Sequence, residues 1–416
     1  MFKQKKVLTV IFSILLIAGL WTSVVRAEDE FNNGLPEVLT GMDENGDVYE
    51  LDTSSGYVDV PMVMSLSDDV KVVNFNTKGF SAITEYTEVG TDIGGYTCGA
   101  YGADAAYLGT FGTKVRFMLS GVIGEVEASE VQVVDFSNVN ILSHYIISDG
   151  RLYHKIATNL TSNSYGSTLE QGVAPSYMKS GIKYYSYDGH YFYTDYEVML
   201  SDYGNNTRNN SVNAQSPYFN YFQNLPFRSQ SNYSSSDLNN IINNKVDSQS
   251  KMRNLGGTFV NYQNMYGVNA LLTIGVAANE SAWGMSNISQ TKNNLFGLNA
   301  VDSNPNEAAN YYSDVTLCVK DFMETYLSKQ YLNPNNWKYY GGFLGNKASG
   351  ANVKYASDPY WGEKAANVAW VLDKANGNKD TNAYSIGIKD TISSDHTALN
   401  VRKESNVSST KLYNTG

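Results

Sequence analysis

From Glu28 to about Asn210 the apolar positions come in short runs broken by Gly, Asn and Asp, as in Val70-Lys71-Val72-Val73-Asn74-Phe75 and Lys114-Val115-Arg116-Phe117-Met118-Leu119. That spacing predicts strands and turns, with no long helical period. Lys183 to Tyr193 sets two aromatic runs on either side of Asp188-Gly189, a hairpin signal. Aromatics on such a module either bind a glycan or pack on the next domain. Asn205 to Ser216 is polar, dense in Asn and Ser, and precedes Pro217, which reads as a linker or surface loop.

The pattern then changes to a helical one. Ser234-Ser235-Ser236-Asp237 can cap a helix running to Val246, and Asn269 to Asn279 places Leu271, Leu272, Gly275 and Val276 at helical spacing. Val315, Val319, Phe322, Met323 and Tyr326 mark another helix, and Tyr360 to Lys374 a further one. The fold class expected is therefore multidomain α+β, β-rich first and mainly α afterwards. The boundaries read as 28–138 for a β-rich module, 139–210 for a small β module, 216–378 for a helical domain and 385–416 for a C-terminal segment.

The N-terminus has a different character. Lys3, Lys5 and Lys6 precede an apolar run from Val7 to Trp21 and then Val25-Arg26-Ala27, so residues 1–27 read as a secretory signal peptide cleaved after Ala27. An uncleaved anchor is the rival, but the run is short of the ~20 apolar residues needed to span a bilayer. A secreted, extracellular or wall-associated protein without an integral membrane segment is expected.

Composition sharpens this picture. The formal charge is −11 over 416 residues, and losing the leader removes four cations and takes it to −15. Nucleic acid is excluded as a partner on that balance. The two cysteines, Cys98 and Cys318, are too few for a disulfide scaffold and read as small buried hydrophobes. The chain holds 32 Tyr against 16 Phe and 5 Trp, a surface chemistry that suits sugars but is also common in extracellular β structure.

The residue that carries candidate chemistry is Glu280, at the end of an otherwise apolar helix and followed by Ser281-Ala282-Trp283-Gly284. Cleaving a glycosidic bond needs an acid that stays protonated near neutral pH, and a partly apolar pocket raises a Glu toward that range. Trp283 is the expected apolar wall. A helix-terminal Glu that is merely solvated or paired with a Lys is the bland alternative.

Three motifs in order weigh against the bland reading: Glu280-Ser281-Ala282-Trp283-Gly284, Asn293-Asn294-Leu295-Phe296-Gly297-Leu298, and Tyr355-Ala356-Ser357-Asp358-Pro359-Tyr360-Trp361-Gly362. Over about 216–376 the chain resembles the family 73 glycoside hydrolases, bacterial endo-β-N-acetylglucosaminidases of lysozyme-like fold. Phe343 to Gly350, running on to Trp361-Gly362-Glu363-Lys364, is similar to the glucosaminidases that separate daughter cells of cocci. The resemblance implies a hydrolase acting on peptidoglycan glycan strands, with Glu280 as general acid. It also implies Asn294, Phe296 and Gly297 at the base of a β-hairpin lobe bordering the cleft.

On that lobe Asp302 is the nominated second catalytic group, with Asp314 as its rival. Tyr355 matches the family tyrosine that reaches toward the reacting sugar, and its alternative is a core aromatic. Asp358 either borders the substrate or caps the helix that follows. Trp283, Phe296, Asn299, Tyr360 and Trp361 complete the substrate-binding candidates, shared with core packing. Inverting, retaining and substrate-assisted routes all stay open, because sequence gives no carboxylate separation.

Two weaker resemblances concern the flanks. Gly94 to Val126 resembles bacterial SH3-like wall modules, with Glu125 where Trp is usual, and Thr397 to Gly416 looks like the opening of another such domain that stops before it could close.

Three rivals frame the reading. A lytic transglycosylase or muramidase usually shows Gly-Leu-Met-Gln where this chain has Phe296-Gly297-Leu298-Asn299. A non-catalytic wall-binding protein is the second. A peptide-cutting hydrolase needs a Cys-His pair or a zinc site, but His144, His154, His190 and His396 lack ligand spacing. No metal and no cofactor are expected, and the chain is expected to act as a monomer.

Overall fold

The computed structural model describes residues 38–51, 70–78, 83–91, 93–299, 309–387, 400–404, 406 and 408–414. The apolar leader and Asp302 lie outside the described residues. A β-sheet-rich N-terminal region is followed by a mostly helical one, as the change of period predicts. Among the described residues no helix is long and apolar enough to cross a membrane.

The chain begins with a hairpin, β1 (Thr40–Met42) and β2 (Val48–Glu50), closed at Asn45-Gly46 with Gly46 at φ 72°. A seven-stranded antiparallel sheet follows, built from β3 (Lys71–Asn74), β4 (Thr84–Glu88), β5 (Gly94–Thr97), β6 (Asp104–Phe111), β7 (Lys114–Leu119), β8 (Val122–Glu127) and β9 (Gln132–Asp135). Its order is β5-β4-β8-β7-β6-β3-β9. The runs at 70–75 and 114–119 are β3 and β7, and their alternate Val73, Val115 and Phe117 are buried. Three more strands, β10 (His144–Ser148), β11 (Arg151–Ile156) and β12 (Ser167–Val173), pair in that order.

Two details differ from the sequence reading. The 183–193 stretch makes only isolated bridges, Tyr145 to Tyr184 and Tyr185 to Tyr193, and Tyr184, Tyr187, Phe192 and Tyr193 are buried core rather than an exposed platform. The region read as lacking a long helical period contains the short α1 (Tyr196–Gly204), started by Asp195 accepting from Val198 N at 3.1 Å. Its Tyr196, Met199 and Tyr203 pack against Tyr187 and Tyr193, so burial fixes a helix whose own period is weak. The polar stretch after it is pinned, with Asn213 Oδ1 accepting from Phe192 N at 2.9 Å.

The helical region contains α2 (Tyr221–Asn224), α3 (Ser235–Lys245), α4 (Gly256–Tyr266), α5 (Ala270–Ser281), α6 (Asn287–Lys292), α7 (Val315–Asp321), a π-helical continuation (Phe322–Tyr331), α8 (Asn352–Tyr355) and α9 (Trp361–Ala375). Ser234 and Asp237 form the capping box anticipated for α3. A short hairpin of β13 (Asn400–Arg402) and β14 (Lys411–Asn414) follows.

One apolar core runs through both regions. It joins Phe75, Phe117 and Leu169 of the strands to Leu271, Phe296, Trp361 and Val368 of the helices. Cys98 and Cys318 are buried, one in each region, and are not in a disulfide.

Candidate active site

Helix α5 places Glu280. Asn269 starts it, accepting from Leu272 N at 3.0 Å, and Ala270 to Ala278 are all buried. Gly275 lets α9 approach closely, since a Cβ there would lie 2.4 Å from Ala365 O. The helix stops because Ala282 and Trp283 turn left-handed, at φ 47° and 58°, before Gly284 at 76°. Non-glycine residues rarely hold that conformation, and here Trp283 N donating to Ala278 O at 2.9 Å supports it.

Close packing of α5 on α9 sets Trp361 beside the acid, and its indole Nε1 donates to Glu280 Oε1. Burial pushes the Glu280 carboxyl up to about 7, the Trp361 bond opposes this, and the neighbouring Asp358 raises it. Lys364 also opposes the rise, but its ammonium is bonded to Asp358 Oδ2 at 2.6 Å.

Glu280 opens into a cleft of about 520 Å³. Asn294, Asp358, Trp361 and Lys364 line it from the helical region, together with Met285 and Ile288 near α6. The opposite lining comes from the hairpin β1–β2, through Thr40, Val48, Tyr49 and Glu50, and from Tyr101. Sequence reading missed that wall. The Asn45-Gly46 turn marks a hairpin, but no local feature says what the hairpin faces.

The other candidates fall in several places. Trp283 is only 7% exposed and turns away from the cleft, its Nε1 donating to Gly46 O at 2.7 Å. Phe296 is buried, stacked on Phe322 with centroids 3.8 Å apart. Tyr355 is buried behind Trp361, its ring stacked at 4.2 Å. Tyr360 is buried against His154, whose Nδ1 lies 3.0 Å from both Glu363 carboxylate oxygens.

Asn294 ties together the two ends of the segment that holds Asp302. Its Nδ2 donates to Leu298 O at 3.0 Å and Asn310 O at 3.1 Å, and its Oδ1 accepts from Leu298 N at 3.0 Å. Asn299 bonds Asn310 and Tyr326 at the same neck. Asp314 is an N-cap, accepting from Thr316 N at 2.7 Å, and those Thr316 bonds hold its carboxyl low. Asp358 accepts from Tyr360 N at 2.8 Å, so it orders the turn before α9 while Tyr360 holds the cap position itself.

Lys347 steadies the same turn. It is buried, donates to Ala356 O at 2.6 Å and Asn352 O at 3.2 Å, and lies over the Tyr96 ring. Burial lowers its pKa to about 7. Among the described residues no group of three or more His, Cys, Asp or Glu is placed to hold a metal ion.

Residues 256–374 match the Glucosaminidase family, described as mannosyl-glycoprotein endo-β-N-acetylglucosaminidase. Two curated proteins of Streptococcus pneumoniae strains, each named "Putative endo-beta-N-acetylglucosaminidase", are 32% identical to this chain over 267 residues, or 64% of it. That stretch is 35% and 33% of their lengths, so the chain spans roughly a third of these relatives. Among solved structures, S. aureus Autolysin E is 20% identical, with 38% of this chain and 72% of that chain covered at a TM-score of 0.31. Residues 256–374, which hold Glu280, Asn294, Tyr355, Asp358 and Trp361, therefore match the glucosaminidase family model, and the chain is similar to the streptococcal proteins over 267 residues.

Proposed function

We propose that this chain is a secreted peptidoglycan hydrolase. It cuts the β-1,4 bond that leaves N-acetylglucosamine at the reducing end of the glycan, in wall turnover or cell separation, and acts as a monomer. On this reading residues 216–378 are a lysozyme-like catalytic domain, 28–138 an SH3-like module, 139–210 a second β module, 385–416 the start of another SH3-like domain, and 1–27 a cleaved leader. The family match and the streptococcal relatives support the reaction class.

The observation that carries the proposal is the Glu280 carboxyl, at the edge of a cleft large enough for several sugar rings and raised to about 7 by burial. An acid so placed still holds its proton near neutral pH and can deliver it to the leaving glycosidic oxygen. The Trp361 indole N–H fixes the Oε1 edge of the carboxylate and stabilises the anion left after transfer. Asn294, Asp358 and Trp361 are the substrate-binding residues of the helical wall. We assign the second catalytic group to Asp302, carried by the segment whose ends Asn294 clamps.

The test is mass spectrometry of fragments released from purified cell walls by the wild-type chain and by Glu280→Gln. N-acetylglucosamine reducing ends from the wild type and almost none from the variant are expected. Anhydromuramic products would replace this reading with a lytic transglycosylase, and equal digestion by the variant would replace it with a different acid.

A further inference from the structure

Part of the cleft lining, Thr40, Val48, Tyr49 and Glu50, belongs to a hairpin far from the glucosaminidase-family segment. Strands β1 and β2 lie before residue 51, whereas the family match begins at 256. Tyr49 is 39% exposed at this wall, and its ring is held in place because the hydroxyl donates to Gly166 O at 2.9 Å. Glu50 follows it in the strand, exposed and on the same cleft. Along the same cleft, a ring face can take the C–H face of a pyranose and a carboxylate can accept from sugar hydroxyls.

The helical region holds this hairpin by its tip. Trp283 Nε1 donates to Gly46 O at 2.7 Å, Asn367 Nδ2 to Asp43 O at 3.1 Å, and Lys245 Nζ to Asn45 O at 2.9 Å. Lys245 also pairs with Asp47 at 2.7 Å. At the other end Met42 N donates to Ser167 Oγ at 3.0 Å, fastening β1 to β12. Trp283 comes three residues after Glu280, so one short turn connects the acid to the hairpin across from it.

We infer that the β1–β2 hairpin is a glycan subsite of this cleft, with Tyr49 as the ring platform, Glu50 as the hydroxyl acceptor, and Trp283 as the residue that positions the hairpin. This rests on the proposed glycan-cutting function for its substrate class. The sugar bound here belongs to the same strand as the scissile bond, so the hairpin contributes to strand affinity rather than to proton transfer.

The experiment measures binding and turnover separately on soluble, peptide-free glycan strands prepared from peptidoglycan, in a short and a long fraction. Calorimetry on the Glu280→Gln chain gives Kd, and reducing-end release by the active chain gives KM and kcat. Tyr49→Ala is expected to weaken Kd and raise KM on long strands about tenfold, equivalent to about 1.4 kcal/mol, with a much smaller change in kcat. Tyr49→Phe keeps the ring but loses the Gly166 bond that fixes it, and should weaken Kd less than Tyr49→Ala. Glu50→Gln, at an exposed site that tolerates the change, should weaken Kd severalfold. Trp283→Phe should raise KM while leaving the pH at which kcat falls, a property of Glu280, in place.

Unchanged Kd and KM in both Glu50→Gln and a folded Tyr49→Ala would overturn the inference. If Tyr49→Ala does not fold, Glu50→Gln alone decides it. A wild type that binds strands in a hairpin-dependent way but releases no N-acetylglucosamine ends would sink the proposed reaction and leave the subsite standing.

Discussion

Helix α9 presents two tryptophans to two glutamates, and the pairs behave differently. On one face Trp361 donates to Glu280 at the cleft, and on the other Trp370 donates to Glu170 of β12 at 2.9 Å. Glu170 is almost fully buried, bonds Lys374, and has Arg151 at 3.7 Å. Glu280 has the same indole contact, but beside it the Lys364 ammonium is bonded to Asp358. A carboxylate with two cations serves as a fastener between sheet and helix. In the one whose cationic neighbour is diverted, burial outweighs the indole bond and raises the carboxyl to about 7.

Several measurements can break or sharpen that contrast. The largest effect is expected from Glu280→Gln, which should cut kcat about 10²–10⁴-fold, the usual contribution of a positioned general acid, with little change in melting temperature at pH 5. Glu170→Gln should do the reverse, lowering stability by about 1–3 kcal/mol while turnover per folded molecule persists, read by denaturant titration alongside the wall-digestion assay. Equal loss of activity in both variants would erase the distinction between the two pairs.

A subtler effect follows from Trp361→Phe. The indole bond favours the ionised form of Glu280, so removing it should move the alkaline fall of the pH–rate profile above about 7. A downward movement would mean the bond does not oppose ionisation. Stability carries a matching signature. The fold raises this carboxyl from its ordinary 4.5 to about 7, so its contribution is complete below about 4.5 and is lost as pH rises through about 7. Glu280→Gln should flatten that part of the stability profile, measured by denaturant melts at a series of pH values.

The smallest effect is expected for Lys245→Ala, which removes a partly exposed ion pair at the hairpin tip worth less than about 1 kcal/mol.

The helical half was largely legible because its elements announce themselves locally. The Ser234 box, the apolar run after Asn269 and the amphipathic period after Tyr360 each produce the expected helix. The place of Glu280 near the end of an otherwise buried helix, lining the cleft, was legible for the same reason. Trp283 was not, because an aromatic after a candidate acid suggests a sugar platform, and only the three-dimensional path shows its indole reaching Gly46.

Helix α1 and the aromatic run before it illustrate the same limit. Their conformations depend on burying Tyr187, Tyr193 and Tyr203 together, a contact no short window contains. The hairpin wall is the extreme case, since more than two hundred residues separate Tyr49 from Glu280 in the sequence.

The grip of Trp283 on Gly46 bears on how the molecule can be dissected. A fragment cut to residues 256–374 alone would keep Glu280 but leave one bank of the channel behind, with a bare indole and the flank of α9 that packs on β12 turned to solvent. Such a fragment would be a poor stand-in for the parent and prone to self-association.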